Sequence, residues 1–126
     1  MQARANTQGE TPKKCSVLVI ARSNSLRSGL QALLGSVPEV EQVYLAGTCR
    51  EAQEIIRAKP IRLVILDREY PDNDLLSLIK ELGNRKISLI ALGDRDNSSE
   101  VDVETATYVT KGVHPEKLLT EIRKKC

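Results

Sequence analysis

Three short runs in this chain are apolar without a break: "VLVIA" (17–21), "LVIL" (63–66) and "LIAL" (89–92). A strand with one wet face alternates apolar and polar residues, whereas a strand covered on both faces reads as a continuous apolar run. Such strands occur in parallel sheets with helices packed on each side. The runs extend to 15–21, 61–67 and 87–93, and "QVYLAG" (42–47) and "TYVT" (107–110) read as two further strands.

The stretches between them carry helical spacing. "SLRSGLQALLGS" (25–36) places Leu26, Leu30, Leu33 and Leu34 on one face. "TCREAQEIIRAKP" (48–60) opens with Thr48 and has Glu51 three residues on, a capping-box pattern, and Pro60 stops it. "DNDLLSLIKELG" (72–83) has an inner stripe of Leu75, Leu78, Ile79 and Leu82, with Gly83 as its expected C-cap. "HPEKLLTEIRKK" (114–125) starts with Pro115 near its first position and turns Leu118, Leu119 and Ile122 inward. One segment breaks the alternation. In 98–110, Val101, Val103, Thr105, Thr107 and Val109 recur with the strand period, so the fourth helix is expected to be short or irregular, near 98–104.

At 126 residues the chain is expected to form one domain, large enough to bury a core without disulfides or metal. The first 14 residues are polar, with Gly9 and Pro12, and read as a disordered tail ahead of a domain at 15–126. Net charge is +2, from 19 basic against 17 acidic residues, which gives no nucleic-acid footprint. The basic cluster "IRKKC" reads as a helix end complementing its dipole. The three cysteines are an odd number without C-x-x-C spacing, which argues against a disulfide framework or a zinc site and for a reducing, cytoplasmic setting. No apolar run approaches the ~20 residues of a membrane span. There is no G-x-G-x-x-G, no P-loop and no Trp to stack on a flavin, so an enzyme or cofactor binder is disfavoured.

In a parallel sheet of this kind, chemistry sits outside the carboxyl ends of the strands. Four residues converge there: Arg22, Asp67, Gly93 and Lys111, each at or just after a strand. A buried run that ends on one carboxylate, Asp67, directs it at this edge.

Here the sequence resembles the receiver domain of bacterial two-component response regulators, and most of all receivers that precede a helix-turn-helix DNA-binding domain. The resemblance covers about residues 15–125 and is carried by "VLVIARSNSLRSGLQALL", "RLVILDREYPDNDLLSLIKEL", "LIALGDRD" and "TYVTKGVHPEKLLTEIRK". It implies a flavodoxin-like (βα)5 sandwich with a five-stranded parallel sheet. It also implies that Asp67 holds the phosphoacceptor position and Lys111 the position of the lysine that pairs with phosphoryl oxygens. Pro71 matches the proline after the phosphorylated strand. Tyr108 falls on the aromatic position that swings inward and outward in typical members. Whether a DNA-binding half follows is left open.

Two departures bear on function. The family ends its first strand with two acids that hold Mg2+, and here Ala21 and Arg22 stand in their place. The family's Ser or Thr after the fourth strand is Gly93. Phosphoryl transfer depends on positioning and on neutralising oxygen charge, and Mg2+ needs carboxylate oxygens. Arg22 is a permanent cation placed to pair with Asp67; only Asp94, on the fourth-strand loop, could compensate. No cofactor is expected. Each residue also has a purely structural reading. Asp67 could cap the following turn, Lys111 and Arg22 could point to solvent, Tyr108 could be plain core, and His114 could cap a helix.

The expectation is therefore an atypical receiver acting by protein–protein contact and independently of phosphorylation, and not an enzyme. The alternative is a conventional receiver modified on Asp67 by a histidine kinase. The expected partners are another protein or an output domain, or a second copy of the chain, met through the first and last helices. Neither nucleic acid nor membrane is expected to bind this domain directly.

Overall fold

A computed structural model describes residues 15–67, 74–93, 106–110 and 115–126, with 106–110 and 115 as backbone. In chain order the elements are β1 (Cys15–Ile20), α1 (Asn24–Gly35), β2 (Val40–Ala46), α2 (Cys49–Ala58), β3 (Ile61–Asp67), α3 (Leu75–Arg85), β4 (Ser88–Gly93), β5 (Ala106–Thr110) and α4 (Pro115–Lys125). The strands form one five-stranded sheet in the order β2-β1-β3-β4-β5, with every neighbouring pair parallel. The expected fourth helix near 98–104 lies outside the described residues.

The apolar runs do what their pattern predicts. Val17 to Ile20 and Leu63 to Leu66 are at most 3% exposed, because helices cover the sheet on both sides. Leu30 and Leu34 of α1, with Leu118 and Ile122 of α4, pack on Val17, Val19, Leu63, Ile65, Ile90 and Leu92. Ala52 and Ile56 of α2, with Leu78 and Leu82 of α3, pack on Leu18, Ile20, Val64, Leu66 and Leu89. Alternate residues of each strand thus feed two separate cores. Each buried Leu or Ile contributes about 1.5–3 kcal/mol.

The helix ends follow local chemistry. Ser23 Oγ accepts the Leu26 N–H at 3.2 Å, and Thr48 Oγ1 accepts the Glu51 N–H at 3.1 Å. The return bond of the expected capping box is displaced by one residue, since Glu51 Oε1 accepts from the Gly47 N–H at 2.8 Å. Lys59 takes an extended conformation, as the residue before Pro60 must, and α2 stops there. The last turn of α4 carries Arg123, Lys124 and Lys125, in keeping with its dipole.

The third helix corrects its expected bounds. It begins at Leu75 and runs past Gly83 to Arg85, so Gly83 is not its cap. The cap is Lys86, at φ 58 and ψ 41 in the left-handed region. The Ile87 N–H returns to the Leu82 carbonyl at 2.9 Å and the Lys86 N–H to Gly83 at 3.2 Å, a Schellman pattern. Ile87 and Leu82 share the apolar core beneath, and that contact decides where the helix stops. The cysteine count also misled. Cys15 and Cys126, 111 residues apart, form a disulfide with Cα atoms 5.5 Å apart. The sheet brings together what spacing along the chain could not reveal.

Outside the cores, α2 and α3 are clasped by Glu81. Its carboxylate accepts from Arg57 at 3.0 and 3.1 Å, from Arg85 at 3.2 Å and from Gln53 at 3.3 Å. Hydrogen bonding to Arg57, set against some loss of solvation and helped by the same cation's charge, holds the carboxyl below its usual value of 4.5. The depressed value sets the sign: the clasp's stabilisation is complete above the ordinary glutamate range and is lost as pH falls through the folded value. Acid titration of stability should therefore show Glu81→Gln less stable than wild type at pH 7, with the gap closing below about pH 4.5. Replacing Lys86 with Gly should raise stability by about 0.5–1 kcal/mol in urea unfolding, because a β-carbon is disfavoured at that backbone position.

Candidate functional site at the carboxyl edge of the sheet

The chain passes from β1 to β2 on one side and then returns to add β3, β4 and β5 on the other. Right-handed crossovers then send the helix after β1 to one face and the helices after β2 and β3 to the opposite face. The connections diverge between β1 and β3, opening a crevice at their carboxyl ends. Asp67 is the last residue of β3, and Arg22 is two residues beyond β1.

Register places the rest. Ile20 pairs with Leu66, and Asp67 pairs with Leu92 of β4. The Ala21 N–H still reaches the Ala46 carbonyl at 3.0 Å, so the ladder runs one residue beyond β1. By alternation Asp67 continues the row of Leu63 and Ile65 on the face covered by α1 and α4. Along that row it stands between Ala21 and Leu92. It is 7% exposed, a burial that a carboxylate tolerates only with a partner, and it does not stand alone there. Gly93 ends β4 opposite Thr110 of β5 and brings no hydroxyl to the edge. Tyr108 lies within β5 opposite Ala91. Lys111, Pro71, Asp94 and His114 lie outside the described residues.

Arg22 is exposed in the turn after β1. A second arginine, which the sequence pattern did not single out, organises that turn. Arg27 Nη1 donates to the Ala21 carbonyl at 2.5 Å and to the Arg22 carbonyl at 3.1 Å, while Nη2 donates to Asn24 Oδ1. Its guanidinium also lies against Gly47, where a β-carbon would come within 3.3 Å of Nη1. The turn after β1 is thus held by a fixed cation bonded to two of its carbonyl oxygens. An arginine one turn into an amphipathic helix carries no sequence signal for this role.

These residues fit Mg2+ poorly. The Ala21 side chain offers no oxygen on the row of Asp67, and the Arg27 guanidinium serves the turn where carboxylates would be needed. Among the described residues no group of three or more His, Cys, Asp or Glu side chains could hold a metal. A separate open groove of about 510 Å3 lies between α2 and α3, lined by Arg57, Lys80, Glu81 and Arg85 among others. It is remote from Asp67, and the Glu81 clasp already engages its two arginines.

With this geometry in hand, the chain can be set beside known proteins. No family model matches it. The Fimbriae Z protein of Salmonella typhimurium is 33% identical over 70 residues, which are 56% of this chain. The match spans 33% of that curated relative's length. Chemotaxis response regulator CheY4 of Vibrio cholerae superposes with a TM-score of 0.75 at 18% identity, over 90% of this chain and 100% of that one. The signal receiver domain of an HD domain-containing protein from Pseudomonas fluorescens Pf-5 gives 0.72 at 18% identity, over 90% and 94% of the two chains. RcsB from Salmonella enterica serovar Typhimurium, bound to promoter rprA in the presence of phosphomimetic BeF3-, gives 0.75 at 18% identity, over 88% of this chain and 61% of that one. The chain has the receiver fold. The flavodoxin-like α/β architecture expected from the sequence is therefore present, and Asp67 occupies the carboxyl end of the central β3 strand within it.

Removing the clamp on the β1 turn tests its weight. Arg27→Met should lower stability by about 1–3 kcal/mol in chemical denaturation, since buried Ala21 would lose the donor to its carbonyl.

Proposed function

We propose that this chain is a receiver-type signalling module that acts through protein–protein contact and without Mg2+-dependent phosphorylation. The observation that carries this reading is the turn after β1. Ala21 stands beside Asp67 on one row, and Arg27 supplies the fixed positive charge that organises the turn. A receiver switches because a metal and a phosphoryl group come and go. An arginine does neither, since it stays charged at all relevant pH values. In this reading Asp67 serves as a fixed anion for Arg22 and Lys111, and the signal lies in what the surface binds. The partners are a protein or an output domain, or a second copy of the chain, met through α1 and α4.

A second reading keeps Asp67 as a phosphoacceptor modified by a histidine kinase. It is favoured by the place of Asp67 at the end of β3, where β1 and β3 part. Amide NMR separates the two. Titration with Mg2+, followed by beryllofluoride, should leave the signals of Ala21, Arg22, Asp67 and Gly93 in place. Saturable shifts centred on those four amides and absent from Asp67→Asn would sink the phosphorylation-independent reading and establish the second.

A further inference from the structure

We infer that Cys15 and Cys126 form a reversible redox latch that fastens the last turn of α4 to the amino-terminal edge of the sheet. The inference does not rest on the function proposed for Asp67, which lies at the opposite edge.

The two residues are built into rigid surroundings. Cys15 is 1% exposed, and its N–H donates to the Glu39 carbonyl at 2.9 Å. Cys126 is half-buried, and its N–H donates to the Ile122 carbonyl at 3.0 Å, continuing the bonding of α4. The Cα separation of 5.5 Å lies in the range where two cysteines bridge without backbone movement. Among the described residues, the polar contacts at this end of the helix are weak. Arg123 and Glu39 form an ion pair at 3.7 Å, longer than a hydrogen bond, and the arginine is 55% exposed. Such a pair contributes little. Glu39 Oε1 is buried and has no hydrogen-bond partner among the described residues. The apolar anchors are Leu118 and Ile122, and Ile122 stands at the start of the last turn. The covalent bridge thus fastens the residues that follow Ile122.

The burial pattern also orders the chemistry. In the reduced protein the Cys126 thiolate is the reachable nucleophile. It attacks a low-molecular-weight disulfide such as oxidised glutathione, forming a mixed disulfide and releasing one small thiol. The buried Cys15 thiolate then attacks the Cys126 sulfur and displaces the second small thiol. The two cysteines lose two electrons and two protons, and the reagent is reduced to two thiols. A small thiol in excess runs the same steps backward. Cys49, the third cysteine, is buried in the core on the opposite face of the sheet, so the pairing cannot shuffle to it.

The test equilibrates the native protein in glutathione buffers from reducing to oxidising, then unfolds it in acid, alkylates it and weighs it. The expected result is one two-electron transition, from three alkylated cysteines to Cys49 alone, reversible on return to reducing buffer. Oxidation should raise the melting temperature by about 10 °C. It should slow amide exchange in the last turn of α4 by at least about tenfold. Cys126→Ser, a change at a half-buried position, should behave as the reduced protein in every buffer. Because the main comparison uses the unaltered chain in two buffers, it needs no variant to fold. A pair that stays as thiols in oxidising buffer overturns the latch. So does a bridge between two copies through Cys126, or equal exchange of α4 in both states.

Discussion

The structure depends on one constraint, that β1 and β3 are shielded from water on both faces. Val17 to Ile20 and Leu63 to Leu66 leave neither face of these strands able to meet solvent. A parallel sheet supplies that shielding, because each crossover helix lies across the strands it joins. With two central strands fully covered, the helices must divide between faces. Here α1 and α4 share one face, and α2 and α3 share the other. The division requires the chain to reverse its direction of growth at β1, and that reversal opens the crevice beside Asp67. The site is a consequence of how the core was covered.

Beside that crevice a fixed charge braces the chain. A metal held by carboxylates is exchangeable, so its presence can depend on conditions and on a bound phosphoryl group. A guanidinium is attached to the chain and keeps its charge. Arg27 binds the carbonyls of Ala21 and Arg22 and braces the turn after β1. The same principle appears on the far face, where Glu81 draws Arg57 and Arg85 together and joins α2 to α3. In both places charged groups brace helices and turns.

Much of this architecture was legible in the residues. The unbroken apolar runs marked the buried strands, because burial on both faces removes the alternation seen in half-exposed ones. Thr48 caps its helix and Pro60 ends it, because these effects act within a few residues. The exit of α3 was less legible. Gly83 is the residue best suited to a left-handed cap, yet the helix passes through it, because packing Ile87 against Leu82 outweighs the strain at Lys86. At the candidate site, the strand-end position of Asp67 could be read in advance. The role of Arg27 could not, since its partners are backbone carbonyls five and six residues away, reached only once the turn has formed.

The sequence alone determined the class of fold, the strands that form its centre and the carboxylate at the end of β3. These rest on hydrophobic periodicity and on capping, which are local in the chain and need no knowledge of what lies opposite. Only the tertiary structure decided which residues meet across distance. It set Ala21 and Leu92 on either side of Asp67, turned Arg27 into the β1 exit and brought Cys15 to Cys126 across 111 residues. Such contacts follow from strand register and helix placement, which belong to the packed whole.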